Sequence, residues 1–310
     1  MFDCQSTSAA HRRGHCSAAI CGGRRSNDYE PHCIPGNDNL AVDRELTIVD
    51  FNQIRQEAQR YIVHWQAKQA NMMANNTTAG GSQAGEIRNV VIPPRGLAGS
   101  LHVPPAAFAA VAFAHGSGSS HLSPRNTAVA RALNRDRLAT LLFDLLTPAE
   151  EIDRANVFDI PLLSERLIDA VHWLDGQPSV AKLPVGLFGA STGAAAALVA
   201  ATKVPHRIGA VVSRGGRPDL AGDALDAVRA PTLLIVGGAD HGVIELNEQA
   251  LARLRGPKSL VIVPGASHLF PEPGALEAVI GYAAGWFERH LAPDRWQSTR
   301  GSEHEGRRAN

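Results

Sequence analysis

The chain has 310 residues, of which 44% are hydrophobic and 19% charged, which favours a sizeable buried core over global disorder. Lys plus Arg and Asp plus Glu number 30 each, so a formal charge of zero gives no electrostatic case for binding nucleic acid. No apolar run reaches the about 18–20 residues needed to cross a bilayer, and the polar start Met1–Ser6 lacks the apolar core of a secretory signal, so a soluble cytoplasmic protein with no membrane partner is expected.

Residues 1–43 read as a polar, aperiodic extension. All four cysteines lie there (Cys4, Cys16, Cys21 and Cys33), interspersed with His11, His15 and His32. Zinc modules mostly pair their ligands two to four residues apart, whereas the steps here are 12, 5 and 12, so no metal is assigned. A helical period follows near 48–73, with Phe51, Ile54, Ala58, Tyr61, Ile62 and Trp65 at three- and four-residue steps. The Asn/Thr/Ala/Gly/Ser stretch 71–85 reads as a linker. Residues 292–310 read as a polar tail.

From Glu86 onward, short apolar runs alternate with amphipathic segments. The runs are Val90–Ile92, Ala109–Ala114, Thr140–Phe143, Val185–Phe188, Ile208–Val212, Thr232–Val236 and Ser259–Val263. Helices are expected near 124–137, 160–174, 192–203, 220–228, 244–255 and 274–291. This alternation predicts βαβ units, a mostly parallel sheet and helices on both faces. In open sheets of that kind, sites form beyond the carboxyl ends of the strands.

The loops after the strands carry the chemistry. Val185–Phe188 runs into Gly189-Ala190-Ser191-Thr192-Gly193 and then an alanine-rich helical segment, the strand and helix that a G-x-S-x-G nucleophile turn requires. Glycine is needed two residues before and two after the serine because strand and helix pack too closely there for a Cβ. A serine nucleophile needs a base, and the base an orienting acid, in the chain order Ser, acid, His. Asp240 follows the strand 232–236 and His268 follows 259–263, so these are the candidate acid and base, with Asp219 as reserve acid. The oxyanion donors are expected at the backbone N–H of Thr192 and of Ser117, within the loop His115-Gly116-Ser117-Gly118-Ser119-Ser120-His121. That loop lacks both the Lys-Ser/Thr ending of a P-loop and the G-x-G-x-x-G spacing, so phosphate cradling is disfavoured. Arg214 and His121 are candidate substrate contacts, Arg214 either as a carboxylate clamp or as a residue that holds its own loop. Asp144 and the adjacent pair Glu150-Glu151 read as a solvated loop or a helix start.

His115-Gly116-Ser117-Gly118, Gly189–Gly193, Gly238-Ala239-Asp240 and Gly265-Ala266-Ser267-His268 together resemble the α/β-hydrolase superfamily, in its dienelactone-hydrolase-like branch, over roughly residues 86–291. The resemblance implies an α/β-hydrolase fold with an eight-stranded, mostly parallel sheet and the triad Ser191, Asp240 and His268. Dienelactone hydrolases carry Cys where this chain has Ser191, which turns the expectation away from dienelactone itself as substrate.

The reading that follows is a serine hydrolase of a carboxylic ester, thioester or lactone that needs no cofactor and no metal. The alternative is a non-catalytic protein of the same fold that binds a partner through the 48–73 helix. Only 20 residues separate Val212 from Thr232, too few for a cap domain, so the substrate is expected to be a small molecule with a small or short acyl group.

Overall fold

The computed structural model describes residues 85–293. The cysteine-bearing extension, the helix expected at 48–73 and nearly all of the expected linker and tail lie outside those residues. Eight strands form one sheet: β1 (Glu86–Ile92), β2 (Leu97–Val103), β3 (Ala109–Ala114), β4 (Leu138–Phe143), β5 (Val185–Ala190), β6 (Ile208–Arg214), β7 (Thr232–Gly237) and β8 (Lys258–Val263). Their order is β1-β2-β4-β3-β5-β6-β7-β8. β1 and β2 pair antiparallel, β2 lies antiparallel to β4, and every later pairing is parallel. This is the expected α/β-hydrolase fold.

Strands β3 to β7 are buried along their whole length, which is why their sequences are nearly continuous apolar runs rather than alternating ones. Each face supports its own core cluster. On one side Leu187, Val211 and Leu234 pack with Ala197, Leu198 and Leu167. On the other, Phe113, Phe188 and Val212 pack with Leu133, Val279 and Phe287. The Phe113 and Phe188 rings lie 4.9 Å apart, an aromatic pair at the centre of the second cluster.

The helices are α1 (Pro124–Arg135), α2 (Pro148–Glu151), α3 (Ile160–Asp175), α4 (Thr192–Lys203), α5 (His241–Arg253) and α6 (Ala275–Leu291), with 3₁₀ segments at Asn156–Phe158 and Pro218–Ala227. None of these helices is long and apolar enough to cross a membrane.

Three local outcomes differ from the sequence reading. β2 was not anticipated, because its apolar residues are few and Gly99 interrupts them. Gly99 is required by a neighbour: a Cβ there would lie 2.6 Å from the Leu142 carbonyl oxygen of β4. The helix expected at 220–228 is a 3₁₀ segment, broken at Gly222, whose φ of 55° and ψ of −131° no α-helix contains. The helix expected from 244 begins at His241, which makes Asp240 its N-cap residue.

Candidate active site

The site is built where β5 ends. Ser191 adopts φ 50° and ψ −121°, a region that non-glycine residues avoid and that here turns the chain from β5 into α4. The flanking glycines are sterically required. A Cβ on Gly189 would lie 2.4 Å from the Cα of Ala194, and one on Gly193 would lie 2.2 Å from the Ala114 carbonyl oxygen of β3. The turn is tied to β6 by its own backbone: Ser191 N–H donates to Arg214 O at 3.3 Å, and Arg217 N–H donates to Ser191 O at 3.1 Å. The Ser191 side chain makes no capping bond to α4, so its hydroxyl is not consumed by the helix it begins.

Asp240 and His268 come from different loops that are laced together. Gly238 N–H donates to Val263 O at 2.8 Å, and Ala239 N–H donates to Ala266 O at 2.9 Å. A Cβ on Gly237 would lie 2.3 Å from the Ala266 carbonyl oxygen, so the two loops touch because that position is glycine. His268 Nδ1 then lies 2.7 Å from Asp240 Oδ2. Although Asp240 occupies the N-cap position of α5, its carboxylate makes no capping bond and turns to the imidazole instead. Forgoing a cap costs about 1 kcal/mol, so the carboxylate is committed to His268 at some expense to the helix. His268 in turn abuts the loop after β6, whose Arg214 carbonyl and Arg217 N–H bond to the Ser191 backbone: a Cβ on Gly215 would lie 2.7 Å from His268 O and 3.7 Å from its Nδ1. Asp219, the reserve acid, is taken up by Arg217 in a bidentate pair at 2.9 and 2.8 Å.

The glycine-rich loop after β3 presses on Ser191, since a Cβ on Gly116 would lie 2.9 Å from Ser191 Cβ. Ser117 N–H, an expected oxyanion donor, points to the Thr192 hydroxyl at 3.1 Å. Thr192, the first residue of α4, has no intrahelical acceptor for its own N–H. His115 is buried beneath this loop and its tautomer follows from its partners. Leu145 N–H donates to Nε2 at 3.0 Å, so the proton sits on Nδ1, which donates to Gly116 O at 3.0 Å. Burial lowers the His115 pKa from its usual value, against smaller raising effects that include Gly116 and Asp144.

His121 binds Asp144 twice, by its backbone N–H at 2.7 Å to Oδ1 and by Nδ1 at 2.8 Å to Oδ2. Asp144 is therefore a structural partner, not a solvated loop residue. Glu150 and Glu151 lie in the first turn of α2, the helix start expected there, where Glu150 closes a capping box with Thr147 and pairs with Arg166 at 2.8 Å. Between these loops lies a pocket with about 230 Å³ of empty space, part of it open to solvent, bounded by Ser117, Thr192, Leu145, Leu146, Val157 and Leu163.

Arg214 is 6% exposed and holds no backbone carbonyl of its loop; its Nη2 donates to Asn126 Oδ1 of α1 at 3.2 Å. Burial, together with the nearby Arg125, pushes its pKa down to about 10, which leaves it cationic at neutral pH. Sequence reasoning missed Arg125 and Asn126, because nothing in a helix's first turn announces which strand end it will cover.

The family model for the dienelactone hydrolase family matches residues 145–292. A dienelactone hydrolase from Anabaena variabilis, solved by crystallography, is 55% identical, with a TM-score of 0.64, and the match covers 67% of this chain and 98% of that one. This chain belongs to the dienelactone hydrolase family. The esterase Est1E from Butyrivibrio proteoclasticus shares the fold at 16% identity and a TM-score of 0.56, over 66% of this chain and 98% of that one. Two Mycobacterium tuberculosis proteins named "Putative phosphoribosyl transferase" are 60% identical over 202 residues, or 65% of this chain. The chain spans just under half of their length, 46%. Within the family this chain presents serine, not cysteine, at the turn after β5.

Proposed function

We propose that this member of the family is a serine hydrolase of small carboxylic esters, thioesters or lactones, working through Ser191, His268 and Asp240. The observation that carries the reading is the His268–Asp240 contact of 2.7 Å, set beside a serine held at φ 50° with its hydroxyl uncapped. His268 Nε2 takes the Ser191 proton as Oγ adds to the substrate carbonyl carbon, and Asp240 stabilises the imidazolium. The N–H of Thr192 and of Ser117 holds the oxyanion, Ser117 turning from the Thr192 hydroxyl to the ligand as the substrate arrives. Collapse of the tetrahedral intermediate breaks the ester bond, and the leaving oxygen takes the proton from His268. Water then adds to the acyl-Ser191, gives its proton to His268, and the carboxylic acid departs as the proton returns to Oγ.

The pocket beside Thr192 supports a small or short acyl group, because Leu145, Leu146, Val157 and Leu163 enclose little space. The transferase name of the mycobacterial relatives belongs to proteins more than twice as long as the matched stretch and gives this chain no transferase reading. A fluorophosphonate probe with p-nitrophenyl acetate tests the proposal. Covalent capture at Ser191 that tracks loss of turnover is the expected result; a folded protein that neither reacts nor hydrolyses refutes it and leaves the non-catalytic alternative.

A further inference from the structure

Arg214 and Arg125 are two guanidiniums without a carboxylate. Among the described residues neither forms an ion pair, and three of their nitrogens are buried with no hydrogen-bond partner: Nε and Nη1 of Arg214, and Nε of Arg125. Asn126 satisfies a fourth, Nη2 of Arg214. A buried cation without a counter-charge is costly, and a second cation beside it adds repulsion, so a fold has reason to keep the arrangement only where an anion completes it. Other arginines of the same domain are paired, Arg166 with Glu150 and Arg217 with Asp219.

The pair sits beside the reactive serine. Arg214 ends β6 opposite Ala190, its carbonyl accepts from Ser191 N–H, and its side chain lies with the Val212 and Phe188 face of the sheet, where α1 covers it. Arg125 is half-buried in the first turn of α1 and is the more exposed of the two guanidiniums.

We propose that Arg125 and Arg214 form a receptor for a dianionic phosphate group, and that the ester cleaved at Ser191 carries a phosphate monoester which remains intact. The three unpartnered nitrogens carry four N–H groups, enough to serve the three terminal oxygens of a phosphate monoester, and its charge of nearly −2 neutralises both guanidiniums, whereas a carboxylate neutralises one. The inference rests on the hydrolase reading for the role of Ser191, but the receptor itself can be measured without turnover.

The test uses the full chain carrying Ser191→Ala and isothermal titration with inorganic phosphate and with acetate at pH 8 and constant ionic strength. Phosphate is expected to bind at least about tenfold tighter than acetate, and Arg125→Gln to weaken phosphate by about tenfold or more, the size of one lost charge-assisted contact. Arg214→Lys, which keeps the charge but loses the fork, should weaken it as well. Absent phosphate binding, equal binding of acetate, or an unchanged affinity in Arg125→Gln overturns the receptor. With Ser191 restored, a phosphate-bearing aryl ester should be preferred over its neutral analogue in kcat/KM, and Arg125→Gln should erase that preference; equal preference in both proteins overturns the substrate assignment. Phosphate binding without hydrolysis of any ester would sink the hydrolase reading and leave the receptor standing. Hydrolysis of neutral esters without phosphate binding would do the reverse.

Discussion

Ser117 N–H donates to the hydroxyl of Thr192 at 3.1 Å, so the loop after β3 and the start of α4 are joined through the two residues whose amides are proposed to share one oxyanion. The hydroxyl acts as a placeholder that holds the Ser117 amide in position until a ligand oxygen arrives. Thr192→Val keeps the shape and removes that bond, which is worth about 1 kcal/mol. The expected result is a loss of about five- to tenfold in kcat toward p-nitrophenyl acetate, with thermal stability little altered. Unchanged kcat would mean that the loop is positioned by Gly116 packing alone.

Ser191→Ala should lower turnover by about four orders of magnitude, because the proposed nucleophile is lost while the turn remains. Ser191→Gly should be equally inactive yet at least as stable as Ser191→Ala, since glycine relieves the φ of 50° at a position where strain costs about 1–3 kcal/mol. Calorimetric melting of both variants checks the order. A glycine variant that melts well below the alanine variant would show that the turn stores no strain.

Gly193→Ala should be far more damaging than its one added methyl suggests. The new Cβ would lie 2.2 Å from the Ala114 carbonyl oxygen, a backbone atom that cannot swing away. Overpacking against backbone costs about 3 kcal/mol or more, so a sharp fall in melting temperature and poor soluble yield are expected. A stable, active variant would mean that α4 can separate from β3 without loss.

His115 gives the fold a pH dependence with a defined sign. Burial holds its folded pKa below the usual value of 6.5, so from about that pH downward the unfolded chain binds a proton that the folded one resists. The stabilisation is complete above 6.5 and is lost as pH falls toward the lower folded pKa. Protonating Nε2 would also break its bond from Leu145 N–H. His115→Gln, which keeps an acceptor near Nε2 but does not titrate, should therefore lose less melting temperature than wild type between pH 7.5 and 5.5. Equal losses would assign the acid sensitivity to other groups.

Turnover should be flat or fall between acetyl and octanoyl p-nitrophenyl esters. The connection from Arg214 to Thr232 is filled by the 3₁₀ segment Pro218–Ala227, so no cap covers the site from that loop. Without a roof, a long chain forgoes most of the about 0.8 kcal/mol available per buried methylene. A steep rise beyond eight carbons would show that another segment supplies the cover.

What the sequence determined by itself was local. Gly189, Ser191 and Gly193 were legible because a strand-to-helix reversal dictates glycine at fixed offsets, and those offsets lie within five residues of chain. Asp240 and His268 were legible as candidates because each directly follows an apolar strand run, and a parallel sheet gathers such positions on one edge. The seven runs and the helices between them followed from burial, which leaves its period in the sequence.

Tertiary structure decided whatever depends on a neighbour distant in the chain. β2 escaped notice because the reason for Gly99 is the Leu142 carbonyl of β4, a contact with no local trace. Asp240 is a candidate acid by its place after a strand, but that its carboxylate forgoes the α5 cap and turns to His268 is decided by the packing of the two loops. Asp144 read as solvated until His121 claimed both of its oxygens. The Arg125 and Arg214 pair depended most of all on the fold, since an arginine carries no mark of burial in its sequence context. Only the docking of the first turn of α1 over the end of β6 removes water from the Arg214 guanidinium and from Nε of Arg125, and that loss of solvent is what makes an anion worth binding there.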